Sequence, residues 1–306
     1  HSSFLERKRL FELPGSSWND YNRQLLSEGG GVFRRDSKDI PVSMELKKWL
    51  GIRYSKVDGE TLIRYLLKAQ VELLWLGGIG TYVKSSTETH TEVGDRNNDL
   101  VRVDASDLGA SVVGEGANLG FTQKARIEYS LSDGRINTDA IDNSAGVDIS
   151  DHEVNLKILL MNLYQKKKIT DYSVFFNKLT EKICLSVLEN NYKQTLCLSM
   201  EQLRCSTQIG AYLQLAEQLD TFNYLDRKLE SFAHAKEVLA RQPQQLTRPE
   251  LAVLLAASKM FLTQHLLEQT DFLQADFFKP YLLDYFPKQV SENYEDDVVY
   301  HPLARE

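Results

Sequence analysis

The sequence predicts an α/β half followed by an all-helical half, and three observations carry that prediction. Short apolar runs, Val71 to Leu76 and one ending at Val112-Val113, each stop at a glycine-rich turn, as buried parallel strands do. From Ser150 onward the apolar residues fall at helical spacing and continue so to the end. Between the two regimes, Val112 to Lys157 is broken into small-residue loops that border helix starts. The expected division is residues 1–150 and 151–306.

The bulk properties narrow the function classes. A chain of 306 residues has a two-domain length. A hydrophobic content of 42% with 26% charged residues suits a globular protein with a sizeable core. The net charge of -7 gives no electrostatic case for nucleic acid or for an anionic membrane. No signal peptide is recognisable, and no apolar run is long enough to span a bilayer. Cys184, Cys197 and Cys205 form no CxxC and have no histidine at zinc spacing. They read as reduced thiols of a reducing compartment, hence a cytoplasmic protein, with a structural disulfide as the alternative. The chain opens at His1 inside a charged helix-like pattern and stops at Arg305-Glu306, so a piece of a longer protein is expected.

In order along the chain, Phe4 to Phe11 suits a short helix stopped before Pro14. Ser16 to Asp36 is turn-rich, with Gly29-Gly30-Gly31 as a plain turn, since no strand-loop-helix frame surrounds it. Pro41 to Leu50 and Gly59 to Ala69 carry helical spacing. After the strand at Val71 to Leu76, Gly78-Ile79-Gly80-Thr81-Tyr82-Val83 begins like a dinucleotide fingerprint. It fails at Val83, where helix-strand packing needs a small residue, so a strand-end turn is the reading. Lys84 and Arg96 are expected to be solvated loop charges. Gly94 to Asp99 and Asn137 to Asn143 alternate acids and amides without the EF-hand order. Turn-making and side-chain-to-backbone hydrogen bonds are their expected role.

Glu115-Gly116-Ala117-Asn118 leaves a strand end, and its small residues let a ligand approach the backbone. Thr122 is the expected cap of a helix carrying Ala125, Ile127 and Leu131, with Gly134 as its stop. An extended piece, Arg135 to Thr138, follows. Ser150 and Glu153 stand at capping-box spacing and are expected to open a long helix. Helix N-termini attract carboxylates and phosphates, because free N–H groups and the dipole both point outward. His152, in the first turn, is expected to be partly exposed.

The long helix should end at Lys166-Lys167-Lys168, where positive charge suits the dipole. Thr170 or Asp171 caps the next, and further helices are expected at Met200 to Leu219, Tyr224 to Arg241 and Arg248 to Leu267. Thr247 and Glu250 form a second capping box with Pro249 in the first turn. Asp276 to Phe286 is expected to be the last helix, before Pro287.

These motifs resemble a known family. Glu115-Gly116-Ala117-Asn118, Thr122, Ala125, Asp139, Asn143-Ser144-Ala145-Gly146-Val147, Ser150 and Glu153 follow the pattern of the cofactor domain in glutamate dehydrogenases and related amino-acid dehydrogenases. The runs Leu73 to Lys84, Gly94 to Asp99 and Leu246 to Leu251 are similar to the large bacterial NAD-specific glutamate dehydrogenases. Two departures stand out: Ala145 where the family has Gly, and Gly120 where ordinary members have Pro.

The resemblance implies the C-terminal part of a Rossmann-like NAD-binding domain followed by a helical domain. It implies NAD as cofactor, touched by Gly116, Ala117 and Asn118, and L-glutamate or 2-oxoglutarate as substrate, touched by Val147 and Ser150. It implies a homo-oligomer of the full-length protein. The proton-transfer lysine, its carboxylate and the phosphate loop are implied to lie upstream of residue 1. No catalytic residue and no metal ligand is therefore assigned, and the piece alone is expected to be inactive. On spacing alone Asn118 is a turn residue and Ser150 a helix cap; the ligand roles come from the resemblance. Two other readings stay open: a non-catalytic helical regulatory or assembly module, and a dehydrogenase of an apolar amino acid.

Overall fold

The computed structural model describes residues 1–269 and 276–305. The chain divides into two compact units. The first comprises His1–Trp75, Ile79–Val113 and Leu119–Arg135; the second comprises Leu76–Gly78, Gly114–Asn118 and Ile136–Glu306. A partial α/β portion followed by a large helical region is what the elements form.

The first unit opens with α1 (Ser2–Glu12). Its buried Glu6 accepts from Arg9 at 2.7 and 2.9 Å and from the backbone N–H of Asn22 at 2.6 Å. A small hairpin-like pair, β1 (Ile40–Pro41) and β2 (Lys56–Val57), runs antiparallel around α2 (Met44–Leu50), and α3 (Gly59–Leu67) follows. Ile40, Val42, Ile52, Val57 and Leu62 close a local core there. The helical reading from Pro41 therefore starts three residues too early. Ser43 starts α2, its side chain accepting from the N–H of Leu46, while Pro41 pairs in the sheet.

β3 (Val71–Leu76) neighbours β6 (Ala110–Glu115), and β4 (Val83–Lys84) runs parallel to β5 (Val103–Asp104). The strand expected at Val71 forms, yet it is not buried on both faces: Leu73 and Trp75 are each 58% exposed. Lys84 also departs from expectation. It is buried and donates to Asp104 and to the carbonyl of Ser85 instead of lying in solvent.

Between these strands a short helix, α4 (His90–Val93), leads into the loop of acids and amides. Asp95 accepts from the N–H of Thr81 at 2.9 Å and from Asn98 Nδ2 at 2.7 Å. The buried Arg102 guanidinium donates to the carbonyls of Thr81 and Asp95 and to the Asp99 carboxylate. Side-chain-to-backbone bonding is thus the work of this loop. Gly80 sits at φ +124°, and a Cβ there would lie 2.2 Å from Asn98 Nδ2, so only glycine lets the turn close.

α5 (Gln123–Leu131) begins as expected, with Thr122 accepting from the N–H of Ala125. Its stop differs. Asp133, not Gly134, takes the left-handed conformation at φ 67°. Gly134 is needed for a different reason: a Cβ would press 2.4 Å from the Tyr129 ring, whose hydroxyl donates to the buried carbonyl of Ala110.

The second unit is built on two long helices, α7 (Ser144–Gln165) and α8 (Tyr172–Thr221), with a one-turn α6 (Asp139–Asp142) before them. α8 is two helical segments, as expected, but they join later than expected: the helix runs on through the expected boundary before Met200 and kinks at Gln208, at φ -125° and ψ 29°. Its N-terminal half packs Leu179, Ile183 and Val187 against Leu156, Leu159, Leu160 and Leu163 of α7. Its C-terminal half packs Leu198, Cys205, Ala216 and Leu219 against Leu251, Leu254 and Ala257 of α10 (Arg248–Leu267).

The helix expected over Tyr224 to Arg241 shrinks to α9 (Ala235–Leu239). Asn223 and Ser231 have positive φ, the N–H groups of Lys228 and Leu229 donate to Asp226 Oδ1, and Arg227 donates to Asp220 and to the Ala233 carbonyl, so turns bonded partly through side chains replace the helix. Past Phe286 the chain continues into helices at Lys288–Ser291 and Glu295–Val299, so the expected last helix is not last. Lys166 and Lys168 do not merely complement a helix end. Both donate to the buried Asp297 carboxylate.

Candidate functional site

The loop at the end of β6 is held by backbone and carboxylate bonds. The N–H of Ala117 donates to the carbonyl of Leu76 at 3.0 Å, and the N–H of Glu115 donates to Asp142 Oδ2 at 2.8 Å. The other oxygen of Asp142 accepts from Asn137 Nδ2 at 2.6 Å. Asn137 in turn accepts from Arg248 Nε, while the Arg248 fork also donates to Ser199 Oγ, Gln202 Oε1 and the Thr195 carbonyl. One chain of bonds thus runs from the strand-end loop to the start of α10.

Gly116 and Ala117 are half-buried and Asn118 is exposed. Asn143 Nδ2, at the entrance to α7, donates to Asn118 Oδ1. The strand-end loop and the residue that caps α7 therefore meet through their side-chain amides, while the second small-residue bend expected before Ser150 is helical from Ser144 onward. With Oδ1 engaged, the Nδ2 donors of Asn118 are the part that can serve an incoming acceptor. Leu119, the next residue, has φ 58°, a left-handed backbone that a leucine rarely adopts.

The helix start lies about seven residues earlier than the capping-box spacing implied. α7 opens at Ser144 with Asn143 as its cap residue, so Ser150 is inside the helix and caps nothing. The physical reason is that Ser144 is held from outside: Asn191 Nδ2 of α8 donates to Ser144 Oγ at 2.8 Å and to the Ile141 carbonyl at 3.0 Å. The first-turn N–H groups therefore belong to the Ser144–Val147 segment. Val147 is 67% exposed and Ser150 is exposed; three residues apart, they lie on one side of α7.

His152 is buried, contrary to the exposed reading. Its ring stacks on Tyr285 at 4.2 Å. Its Nε2 lies 3.4 Å from Asp148 Oδ1 but makes no hydrogen bond. Burial lowers its pKa, against an upward pull from Asp148 and Asp151. Asp142 and Arg248 were not picked out as site residues by sequence reasoning. The acid-and-amide run at Asn137 to Asn143 was the available signal for Asp142.

A loop leaving a strand end beside a helix start is the arrangement through which open α/β proteins take up ligands. The chain belongs to the bacterial NAD-glutamate dehydrogenase family: the profile for the catalytic domain of that family matches residues 1–201. A second profile, glutamate dehydrogenase C-terminal, matches residues 243–306. The chain is 46% identical over 313 residues to the NAD-specific glutamate dehydrogenase of Pseudomonas aeruginosa, covering 100% of this chain and 19% of that protein. The proteins of the same name from Halomonas elongata and Mycobacterium tuberculosis are 42% identical over 309 and 315 residues, covering 100% and 99% of this chain. The chain thus spans 19% of the length of each of these relatives.

Proposed function

We propose that this chain forms one wall of the active cleft of an NAD-dependent glutamate dehydrogenase, which interconverts L-glutamate with 2-oxoglutarate and ammonia. On this reading the α/β portion is the C-terminal part of a Rossmann-like cofactor domain. The observation that carries the reading is the amide-to-amide bond between Asn118 and Asn143, which brings the strand-end loop to the mouth of α7.

The residues present fit a nicotinamide nucleotide. Gly116 and Ala117 carry nothing bulky, so a flat ring can approach the backbone, and the Asn118 Nδ2 can donate to a ribose hydroxyl or carboxamide oxygen. Bound there, NAD would supply the hydride acceptor. The chain's own residues orient and exclude water. The N-terminal turn of α7 favours an anionic group near Val147, and the Ser150 hydroxyl can donate to a substrate carboxylate on the same face.

The test is Ser150→Ala in the full chain. A rise of roughly tenfold in KM for glutamate with kcat little changed is expected, since uniform binding is what a carboxylate contact supplies. Unchanged kinetics would favour the assembly-module reading. Comparing glutamate with leucine and phenylalanine as substrates separates the apolar amino-acid reading.

A further inference from the structure

Arg248 stands where the local electrostatics disfavour a cation. It is the first residue of α10, at the positive end of the helix dipole. It is half-buried, and burial presses its pKa below the ordinary guanidinium value, against an upward pull from Asp142. Its acceptors are all neutral: the amide oxygens of Asn137 and Gln202, the Ser199 hydroxyl and the Thr195 carbonyl. Among the described residues no carboxylate forms an ion pair with it. By contrast, the sheltered Arg102, Arg227 and Arg241 each lie against a carboxylate. A residue that breaks several local rules at once is where function, not folding, sets the choice.

The bonds that leave Arg248 toward the strand-end loop have a fixed direction. A guanidinium only donates and an ionised carboxylate only accepts, so the Asn137 amide between them can sit one way round alone. Its Oδ1 faces Arg248 Nε, and its Nδ2 donates to Asp142 Oδ1 at 2.6 Å. Asp142 Oδ2 accepts the N–H of Glu115, the last residue of β6, at 2.8 Å. Asp142 has no ion-pair partner of its own among the described residues. The cation and the anion therefore answer each other across the amide, and each bond polarises the next. Gly116, Ala117 and Asn118 leave the strand from the backbone group at the far end of this relay. The near end is anchored to α8, where Thr195 and Ser199 each accept from the Arg248 fork at 3.1 Å.

Resting on the reading of Gly116 to Asn118 as the cofactor loop, we propose that Arg248 is a positioning residue for NAD: its charge, carried through Asn137 and Asp142, holds the strand-end backbone in the form that receives the nucleotide. The start of α10, in the helical region, thereby sets cofactor affinity without touching the cofactor. A plain tie between α8 and α10 needs no charge, and it leaves the loop out.

The test uses Arg248→Gln, Arg248→Lys and Asn137→Asp in the full-length protein. NADH affinity is read from nucleotide fluorescence without turnover, loop order from hydrogen exchange of a peptide covering residues 114–118, and folding from the thermal midpoint. Arg248→Gln weakens NADH binding about tenfold, the scale of one lost charge-assisted bond, and speeds exchange in that peptide. Arg248→Lys keeps the charge and recovers part of both. Asn137→Asp separates positioning from a structural tie. It hands Arg248 a carboxylate, so the anchoring of α10 is kept, but it sets a like charge against Asp142 in place of a donor. Weaker NADH binding and faster exchange follow, with a smaller fall in thermal midpoint than in Arg248→Gln. Unchanged affinity in Asn137→Asp overturns the proposal even where Arg248→Gln fails to fold. A loss of affinity that only tracks the thermal midpoint across the three variants overturns it too, and makes Arg248 a structural tie. Asn118→Ala, run alongside, reports on the loop itself. If it weakens NADH binding while the Arg248 variants change neither affinity nor exchange, the relay falls and the cofactor loop stands. If neither Asn118→Ala nor Arg248→Gln changes affinity although exchange quickens in the latter, the cofactor reading falls and this proposal with it.

Discussion

Asp142 spends both carboxylate oxygens on the strand-end loop and its neighbour, accepting from the Glu115 N–H and from Asn137 Nδ2. Removing it strands a buried donor, at a cost of about 1–3 kcal/mol. Asp142→Ala in the full chain is therefore expected to raise KM for NAD about tenfold, with Asp142→Asn, which keeps an acceptor, recovering part of the loss. Steady-state kinetics at varied NAD checks it; an unmoved KM would remove the loop from the cofactor. Glu250 shows the same logic applied to stability. It is fully buried, takes two bonds from Arg241 at 2.7 and 2.9 Å, and accepts from the N–H and hydroxyl of Thr247. Glu250→Ala is expected to cost about 3–5 kcal/mol in urea unfolding, since it leaves a nearly buried guanidinium without its acceptor. Glu250→Gln should cost less. The half of this cluster that lies within one turn, Thr247 with Glu250, was legible from spacing. Arg241 was not, because nine residues and a chain reversal separate it from its partner. Asn143 with Asn118 and Arg248 with Asn137 are hidden for the same reason.

Elements were legible where their start is decided locally. Thr122, Asp171 and Thr247 all cap the helices that their sequence neighbourhood implied. They were misread where another element decides. Ser150 and Glu153 have capping-box spacing, but Asn191 of α8 holds Ser144, so α7 begins earlier and swallows the motif. α8 runs through the expected break because its two halves are each held by a separate core, Leu179 to Val187 on one side and Leu198 to Leu219 on the other. The end of α5 offers a direct check of a packing cause. A glycine at 134 reads as a conformational stop, yet Asp133 takes the left-handed angle and Gly134 only makes room for the Tyr129 ring. Gly134→Ala is therefore expected to destabilise the first unit by about 1–3 kcal/mol through crowding. Asp133→Gly should be neutral or slightly stabilising. Thermal melts of the two variants distinguish the packing cause from the conformational one; the reverse order of effects would restore glycine as the stop.

At the scale of the whole molecule, acid should loosen the helical unit in two separable steps, because two buried groups there titrate differently folded and unfolded. His152 has its pKa lowered by burial beneath its ordinary 6.5. Below that value the unfolded chain takes up a proton that the folded chain resists, so stability falls as pH drops from about 6.5 toward the folded value. Above it, His152 makes no pH-dependent contribution. Asp297 acts lower down. Burial would raise its pKa, but hydrogen bonds from Lys166 and Lys168 outweigh burial and hold it below 3.8. Its contribution is complete above that pH and is lost as pH falls through the folded value. The lysines are roughly half exposed, so breaking this cluster is expected to cost about 1–2 kcal/mol instead of the full buried-pair figure. Because Asp297 clasps the end of α7 to a core that includes Val298, Phe286 and Leu163, Asp297→Asn should reduce stability at neutral pH and flatten the profile below about pH 4. His152→Gln should leave neutral stability nearer its starting value and flatten the profile from about pH 6.5 down to the folded value. Urea midpoints measured across pH for the two variants and the parent resolve the steps. A His152→Gln profile that still falls between those limits would assign the first step to another group, and with it the account of the Tyr285-stacked imidazole as a neutral, buried ring.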